Sequence, residues 1–394
     1  MKLGTRELAH GSARPWPRVL EELVQRLFSP SPHATVSAPH VRAPVSVERL
    51  LCYFVIASVP TLVVGLWNLG FQTFEGMAAM EIDVSPGWRG GILAVLGLPL
   101  SRESAVACVF LGLLYFLPLL VAALAVSIFW EVVFATQRHR PVDPGWLMSS
   151  WLFVLLLPAS LPLGLALLGM SFGVVLGKHI FGGTGKYIVS PPLVGVLFLY
   201  FGYPAHFVGE TALVPVPSFT VSSTWAVLAE EGTASAQGVT WIQVFLGQEI
   251  GALATGSTLA CLIGAVFLIY TGAASGRTLL GALGGLVITT LLFNELGSED
   301  PAWLLPWHWQ LALGSFAFGV AFLATDPTTS PMTPAGRWIH GALIGVLTVI
   351  MRVANPAHPD GALFAILVAG LATPVIDYFV LRACLARWRK RMRA

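Results

Sequence analysis

Charged residues are scarce in this sequence, and their scarcity excludes an ordinary soluble domain. Only 11% of the 394 residues are Asp, Glu, Lys or Arg, whereas 56% are hydrophobic and the mean hydropathy is +0.77. Soluble domains carry about 25% charged residues. The chain is therefore predicted to be an integral membrane protein. A net charge of only +2 also argues against a nucleic-acid partner, which a strongly basic surface would attract.

Motifs for metals and dinucleotides are missing as well. No CxxC pair is present, so neither a metal cluster nor a disulfide framework is predicted. The four cysteines occur singly, at Cys52, Cys108, Cys261 and Cys384. No GxGxxG motif follows a strand, and FGGTGKY (181–187) is not a phosphate loop, because GxxxxGKS/T would need other residues at Ile180 and Tyr187. We expect no metal site and no dinucleotide site on this chain.

Long apolar runs are abundant, and several approach the roughly 20 residues that span a bilayer core. Strands of a membrane barrel would alternate apolar and polar residues, so these runs are predicted to be helices. A pass along the chain predicts ten helices, two of them short, at about 50–70, 105–137, 146–168, 171–181, 192–204, 258–275, 278–294, 308–325, 336–352 and 360–382.

The basic residues orient these helices. Residues 1–49 carry seven of the 22 Lys and Arg, and the tail from Arg382 carries six. Cytoplasmic segments retain positive charge, so both termini are predicted to be cytoplasmic and the number of helices even. Threading from the inside places 19 of the 22 on the cytoplasmic side, with Lys178 on a turn there. The three exceptions are Arg89, Arg102 and Arg352.

One loop stands out by its lack of positive charge. No Lys or Arg occurs between Lys186 and Arg277, which places the loop 205–257 outside the cytoplasm. The predicted organisation is a cytoplasmic arm (1–48), a first five-helix half (49–204), this extracytoplasmic loop (205–257), a second half (258–382) and a basic cytoplasmic tail (383–394).

The two halves show one internal match. SFGVVLGK (171–178) recurs as AFGVAFLA (317–324), 146 residues later. Five helices per half would invert the second copy, and inverted repeats with broken helices build ion sites near the membrane midplane. Chance coincidence of Gly, Phe and Val is the alternative. The expected fold class is all-α integral membrane, with about ten transmembrane helices in two inverted halves.

Several ordered blocks resemble one family of membrane proteins. They are IFWEVVF, SFGVVLGKHIFGGTGKYIVSPPLVGVLFLYFGYPA, STLACLIGAVFLIYTGAAS, LFNELGSEDPAWLLPWHWQLALGSFAFGVAFLATDP and RVANPAHPDGALFAILVAG. From about residue 48 to 385 the chain resembles the B-type subunit of the bacterial sodium-translocating NADH:quinone oxidoreductase and, more distantly, the D-type subunit of the Rnf complex. The resemblance implies a flavin-carrying subunit of a six-subunit complex in the bacterial inner membrane. Partner subunits would hold the NADH site and the iron–sulfur centre.

The resemblance singles out Thr224 as the attachment point for FMN. In the family the flavin is joined by a phosphoester to the Thr of a Ser-Gly-Ala-Thr motif that follows an Asp. Here the motif reads Val221, Ser222, Ser223, Thr224, with Ser218 in place of the Asp. A helix N-terminus suits a phosphate, and Ser222 and Ser223 are expected to line it. The alternative is that these hydroxyls cap the helix WAVLAEE.

A second flavin, riboflavin, is raised by the same resemblance. FGGTGKY reads as unwound backbone between two short helices, tolerated at membrane depth where protein or a cavity surrounds it. The expected contacts of a flavin there are Gly182, Gly183, Thr184, Gly185 and Lys186.

Four further positions, outside the FMN motif, depart from the family pattern. Ser127 and Ile128 replace a glycine pair before the Phe-Trp-Glu motif, and their bulk is expected to narrow the quinone pocket. His179 and Thr255 each replace a glutamate. Two carboxylates are therefore absent from the region expected to hold cofactor or ion, and both sodium and quinone use need testing.

Three acids within or next to apolar helices are the candidates for a cation path: Glu131, Asp326 and Asp377. A charge in hydrocarbon costs at least ~2.5 kcal/mol, so it is usually retained for pairing or transport. Carboxylate oxygens also suit a hard cation such as sodium. The alternative is an interfacial role, in which these acids reach headgroups or bind arginine.

The expected function is that of a membrane flavoprotein subunit. It would work in a respiratory complex that couples NADH-to-quinone electron transfer to sodium or proton translocation, and it would not be catalytic alone. A flavin-free solute channel or transporter with the same bundle is the main alternative. A scaffold subunit without cofactors is the third.

Overall fold

The computed structural model describes residues 47–81, 88–97, 99, 101–139, 142–207, 214–216, 224–232, 240–249, 251–297, 301–354 and 361–393. Within these ranges every regular element is a helix and no strand occurs. The arm up to residue 46 and the predicted flavin contacts Ser222 and Ser223 lie outside the described residues. The all-helical class predicted from hydropathy is confirmed.

The helices are numbered in chain order. The first group is α1 (Val47–Ala57), α2 (Val59–Ala79), α3 (Trp88–Val95), α4 (Ala105–Arg138), α5 (Trp146–Leu155), α6 (Leu163–Val174) and α7 (Pro191–Gly202). Two short helices follow, α8 (Thr224–Glu231) and α9 (Trp241–Leu246). The last group is α10 (Thr258–Tyr270), α11 (Gly276–Leu296), α12 (Trp307–Ala312), α13 (Phe316–Phe318), α14 (Pro334–Ala354) and α15 (Gly361–Arg393).

Five segments among the described residues are long and apolar enough to cross a membrane. They are Val47–Ala79, Ala105–Arg138, Gly276–Leu296, Pro334–Ala354 and Gly361–Met392. Four shorter apolar helices accompany them: Trp146–Leu155, Leu163–His179, Pro191–Gly202 and Thr258–Tyr270. The chain is an integral membrane α protein.

The predicted helix 146–168 is wrong, because the chain breaks in the middle of it. Helix α5 ends at Leu155 and α6 begins at Leu163. Pro158 and Pro162 lie in the break, where proline supplies no N–H and cannot continue a helix. The carbonyls of Leu155 and Leu157 accept hydrogen bonds from the backbone of residues 254 and 253, at 3.0 and 3.1 Å. The segment before α10 therefore supplies hydrogen-bond donors to the carbonyls that are left free where α5 ends.

Two short helices pass into π-helical turns. The backbone after α6 is π-helical over Val175–His179, and that after α13 over Gly319–Leu323. These turns overlap the two copies of the internal match, two positions out of register with each other. Single π turns inside helices occur frequently at functional sites, because they shift side chains out of the regular register.

Close helix crossings rest on glycine. In α11, a Cβ at Gly281 would lie 2.7 Å from the Trp338 carbonyl oxygen, and one at Gly285 would overlap the Ala342 carbonyl oxygen of α14. Gly341 and Gly345 of α14 face α11 in the same way. Small residues let backbones approach within the membrane, where packing replaces hydrophobic burial as the force between helices.

The last helix runs further than predicted. Helix α15 reaches Arg393, past the expected end at residue 382, so the basic tail continues as helix. From Leu381 to Met392 every side chain is exposed. Leu, Ala, Arg and Lys dominate this stretch and are strong helix formers, which explains the extension.

Candidate functional site

A buried ionic cluster lies where α4 meets the π turn after α6. Lys178 forms an ion pair with Glu131, and its Nζ lies 3.6 Å from Asp143 Oδ2. The Lys178 and Glu131 side chains are only 1% and 2% exposed. Buried charges need a partner because desolvation penalises an isolated ion severely. The cluster thus joins a predicted ion-path acid to two residues that the sequence analysis left out of the site.

The sequence predicts Lys178 on a cytoplasmic turn, but it does not lie on an exposed turn. The residue belongs to the π turn Val175–His179 and is one of the largest fully buried side chains among the described residues. The charge of Glu131 draws it inward, since a lone lysine at this depth would be too costly. A lysine at the end of the apolar stretch 163–177 was the signal available in the sequence.

Asp143 fastens the unwound FGGTGKY segment to α5. Its Oδ2 accepts a hydrogen bond from the backbone N–H of Thr184, and its Oδ1 accepts one from Gly145 at 3.2 Å. Burial raises the pKa of the Asp143 carboxyl, but the Lys178 ammonium and these hydrogen bonds outweigh it, so the pKa lies below its ordinary value. Asp143 is therefore an ionised anchor for the loop.

The loop itself needs its glycines. Gly182, Gly183 and Gly185 have φ of +109°, +107° and +85°, a region that side chains rarely adopt. A Cβ at Gly183 would also lie 2.8 Å from Asp143 Oδ2. The Thr184 Oγ1 is buried and without a hydrogen-bond partner among the described residues, whereas Lys186 is exposed. Of the predicted riboflavin contacts, Gly185 and Lys186 are therefore exposed, whereas Gly182, Gly183 and Thr184 are buried or half-buried.

His179 takes the position of a family glutamate beside the cluster. Its ring stacks on Phe134 with centroids 4.2 Å apart, and its Nε2 lies 3.7 Å from Glu131 Oε1. Its backbone carbonyl accepts a hydrogen bond of 2.8 Å from Arg138. An imidazole therefore stands where a second carboxylate would crowd Glu131.

Asp326 connects the segment after the second π turn to the FGGTGKY segment after the first. It lies after the π turn Gly319–Leu323, is 1% exposed, and accepts hydrogen bonds from Thr328 N (3.0 Å) and Thr328 Oγ1 (2.7 Å). The Tyr187 hydroxyl, at the end of FGGTGKY, donates to it at 3.4 Å. Residues 139 positions apart in sequence thereby meet.

Asp377 has a different environment. It is half-buried on α15 and accepts hydrogen bonds from the backbone N–H groups of Met332 (2.8 Å) and Thr333 (3.2 Å). The hydroxyl of Thr333 also donates to it. Asp377 therefore anchors the turn that leads into α14.

Thr224 is the first residue of α8 and is half-buried. The adjacent Trp225 is buried and packs in a cluster with residues of α8, of α9, and of α12 together with the segments just before and after it, namely Leu228, Ala229, Val244, Ala302, Leu305, Trp309, Ala312 and Leu313. The helix ends at Gly232, whose φ of +75° and N–H bonded to the Leu228 carbonyl form a glycine cap. Trp225 thus fixes the position of the candidate flavin residue.

Arg352, counted among the outer exceptions to the charge pattern, is buried beneath that tryptophan. It belongs to α14, is 0% exposed, and its guanidinium carbon is 5.2 Å from the Trp225 ring centroid. It donates hydrogen bonds of 2.6 Å each to the carbonyls of Gln310 and Leu313, where α12 ends. Free carbonyls at a helix C-terminus attract a cation, which explains a buried arginine here.

Glu249 binds the other side of the same break. Its two carboxylate oxygens accept from the Gly314 N–H at 2.9 and 3.2 Å. Arg352 thus binds backbone carbonyls at the end of α12, and Glu249 binds the backbone N–H of Gly314, which follows. Together they satisfy backbone groups that the break between α12 and α13 leaves without helical partners. The sequence analysis did not single out Glu249, and it noted Arg352 only as an exception to the charge pattern.

The remaining departures are packed into the bundle. Ser127 is buried and donates to the Trp146 carbonyl at 3.5 Å, and Ile128 packs against the Val132 and Trp146 cluster. Thr255 is buried and donates to the Ala252 carbonyl at 3.5 Å. The bulk expected at 127 and 128 therefore fills the contact between α4 and α5.

Residues 34–385 match the NQR2, RnfD, RnfE family. The chain belongs to that family. A relative from Chromohalobacter salexigens, the B-type subunit of a Na(+)-translocating NADH-quinone reductase, is 41% identical over 378 residues, covering 94% of this chain and 91% of the relative. The corresponding subunits of Neisseria meningitidis serogroup B and Azotobacter vinelandii are each 38% identical, and the alignments cover 93% and 94% of their own lengths.

Membership of the NQR2, RnfD, RnfE family confirms the resemblance read from the quoted blocks. The alignments cover 94% of this chain with the Neisseria relative and 96% with the Azotobacter relative. The ionic cluster, the Tyr187–Asp326 contact and the α12–α13 break all fall within the matched residues. The geometry of these sites can therefore be interpreted in the context of the family.

Proposed function

We propose that this chain is the B-type membrane subunit of a respiratory complex that pumps sodium while passing electrons from NADH to quinone. The observation that carries the proposal is the 38–41% identity to such subunits over nearly the whole chain. Partner subunits supply the NADH site, since no dinucleotide motif is present here. The six-subunit composition and the bacterial inner membrane follow from the same proposal.

The proposed membrane arrangement is ten helices in two inverted halves, with both termini in the cytoplasm. Five long spans and four shorter apolar helices supply nine, and the broken stretch from α12 through Leu323 supplies a tenth. The matching π turns after α6 and α13 support a repeat. Broken helices of this kind place free backbone groups and unwound loops at a shared ion path.

FMN on Thr224 is the proposed cofactor. The hydroxyl is half-exposed at the first turn of α8, and an N-terminal turn offers N–H groups to a phosphate. The residue therefore fits a phosphoester, although the flanking Asp, Gly and Ala of the family motif are replaced. Bound FMN supplies reversible electron storage, and Trp225 with Arg352 holds the helix that carries it.

The proposed cation path uses Glu131 and Asp326, because both are buried and both contact the unwound segment or its neighbours. Asp377 is proposed to act only indirectly, by holding the turn before α14 in place. Riboflavin is proposed on the exposed side of FGGTGKY, at Gly185 and Lys186, since Asp143 closes the other side. Sodium is the proposed ion, with protons as the alternative.

The quinone site is proposed in a cavity of about 50 Å³ between α1 and α5. Cys52, Asp143 and Trp146 line it. Ser127 and Ile128 pack behind Trp146 and limit its growth toward α4. The cavity is smaller than a quinone ring, so the residues around it must move apart when the ring enters.

A fluorescence experiment tests the flavin claim. The chain is co-expressed with a flavin transferase, separated by denaturing electrophoresis and imaged under ultraviolet light. A fluorescent band that disappears in Thr224→Val, but persists in the matched Thr240→Val, establishes attachment at Thr224. A dark wild-type band, with the transferase active on another substrate, contradicts it and favours the scaffold alternative.

A further inference from the structure

The end of α15 carries an apolar stripe on its surface. The stripe consists of Tyr378, Leu381, Leu385, Trp388 and Met392, which follow one another at intervals of three, four, three and four residues. This alternation places side chains on one face of a helix, as in the seam of a coiled coil. The five side chains are between 52% and 70% exposed. The described part of this chain therefore leaves the apolar stripe uncovered.

The outer part of the apolar stripe lies beyond the membrane core. Helix α15 has 33 residues in one continuous helix, so it is about 50 Å long, whereas the hydrocarbon core is ~30 Å thick. Residues 378–381 are apolar, but five of the ten residues 382–391 are Lys or Arg. Such charges are costly within hydrocarbon. Leu385, Trp388 and Met392 therefore lie outside the core.

Lipid headgroups do not reach the end of the apolar stripe. The headgroup layer adds only about 5–8 Å on each side of the core. Met392 follows Arg382 by ten positions, which is about 15 Å along a helix axis. The helix could lie flat on the membrane only after a break, and α15 has no break between Leu381 and Arg393. A protein surface is therefore needed to cover Trp388 and Met392.

The residues beside the apolar stripe specify the charge of that protein surface. In the heptad that the stripe defines, Arg382, Arg389 and Arg391 occupy flanking positions, and all three are exposed. No Asp or Glu follows Asp377 in the sequence. Flanking charges select the partner of a helical seam, and like charges repel. A second copy of α15 is therefore disfavoured, whereas a helix with acidic flanks is attracted.

We propose that residues 381–392 form a docking surface for an acidic amphipathic helix of a partner subunit. The partner helix carries apolar residues at the same alternating spacing, with Asp or Glu beside them. The docking surface rests on the proposed function, in which this chain works together with other subunits. Trp388 is its central anchor, because buried aromatic side chains carry much of the binding energy of an interface. Arg389 and Arg391 bind the partner's carboxylates and fix the register.

Photo-cross-linking in native membranes tests the docking surface. A benzoylphenylalanine is placed at Leu385, and in a second preparation at Ala383, two positions earlier. Successive helical residues are about 100° apart, so Ala383 lies on the opposite face of α15 and is the matched control. The complex is irradiated and purified through a tag on this chain, and the cross-linked peptides are identified by mass spectrometry.

The probe at Leu385 should cross-link to one partner subunit, within a helix that has the stated apolar spacing and acidic flanks. The probe at Ala383 should not. In the Leu385 probe background, Trp388→Glu should lower the yield of this product at least roughly tenfold, since it replaces the anchor with a charge. Lys390→Glu, which changes the face opposite the apolar stripe, should leave the yield within about twofold.

Several results would overturn the docking surface. They are adducts with lipid alone, cross-links to a second copy or another segment of this chain, no adduct, and equal cross-linking from Leu385 and Ala383. NADH:quinone turnover of the same membranes tests the proposed function separately. Absence of turnover contradicts that function, and the identity of the cross-linked peptide still decides whether α15 docks an acidic helix.

Discussion

At the scale of single residues, the chain keeps its buried charges by pairing them across long sequence separations. Lys178 and Glu131 are 47 positions apart, and Tyr187 and Asp326 are 139 apart. Arg352 donates hydrogen bonds to the backbone carbonyls of Gln310 and Leu313. Each arrangement offsets the desolvation of an ion that could not otherwise remain in the bundle.

Lys178→Met should be strongly destabilising, because it leaves Glu131 and Asp143 without their cation. Breaking one side of a buried pair costs about 3–5 kcal/mol. Thermal unfolding of the solubilised complex, followed by size-exclusion chromatography, measures the loss. The double variant Lys178→Met/Glu131→Gln should recover part of it, since the stranded carboxylate is gone. Equal melting of the single variant and wild type would contradict a paired lysine.

At the scale of helices, broken segments are held by groups of the appropriate sign. Arg352 binds the carbonyl end of α12, and Glu249 binds the amide that follows it. The break after α5 is satisfied differently, by backbone N–H groups of residues 253 and 254. Intact helices need no such partners and instead pack through glycine, as α11 and α14 do.

Substitutions at two adjacent glycines of α11, Gly284 and Gly285, distinguish the effect of close helix packing from the effect of glycine on helix propensity. Gly285→Ala would place a methyl group against the Ala342 carbonyl and should destabilise the bundle by about 1–3 kcal/mol through overpacking. Gly284 has nothing within 4 Å of a Cβ, so Gly284→Ala should be neutral or stabilising by roughly 0.5–1 kcal/mol through helix propensity. Thermal melting of both variants checks this, and similar melting temperatures would refute a close crossing.

At the scale of the whole molecule, charge bias orients the bundle. Arg352 should not be counted among the outer exceptions. The positive-inside pattern concerns basic residues in exposed loops, and Arg352 is buried and hydrogen-bonded to backbone carbonyls. Lys178, counted on the cytoplasmic side, is buried and paired as well, so both residues leave the count and Arg89 and Arg102 are the remaining exceptions. The proposed orientation is unchanged: both termini and the FGGTGKY segment on the cytoplasmic side, and α8 with Thr224 on the other.

Thiol labelling tests this orientation. Cys384 is exposed on α15, whereas Cys108 and Cys261 are buried. With Cys52→Ser as background, a membrane-impermeant maleimide should label Cys384 in inverted vesicles and not in right-side-out ones. Thr240→Cys, at an exposed position before α9, should show the reverse. Labelling of both sites from the same side would contradict this orientation.

The sequence by itself determined the membrane class, most helix positions and the family, because these depend on local composition and on ordered blocks. It also supplied Glu131, Asp326 and Thr224 as candidate site residues, which remain predictions. The tertiary structure alone decided where α5 breaks, that Lys178 and Arg352 are buried, and that Asp377 anchors a turn. The physical reason is that each outcome depends on a partner distant in the chain: Glu131 for Lys178, the end of α12 for Arg352, and residues 253 and 254 for the α5 break.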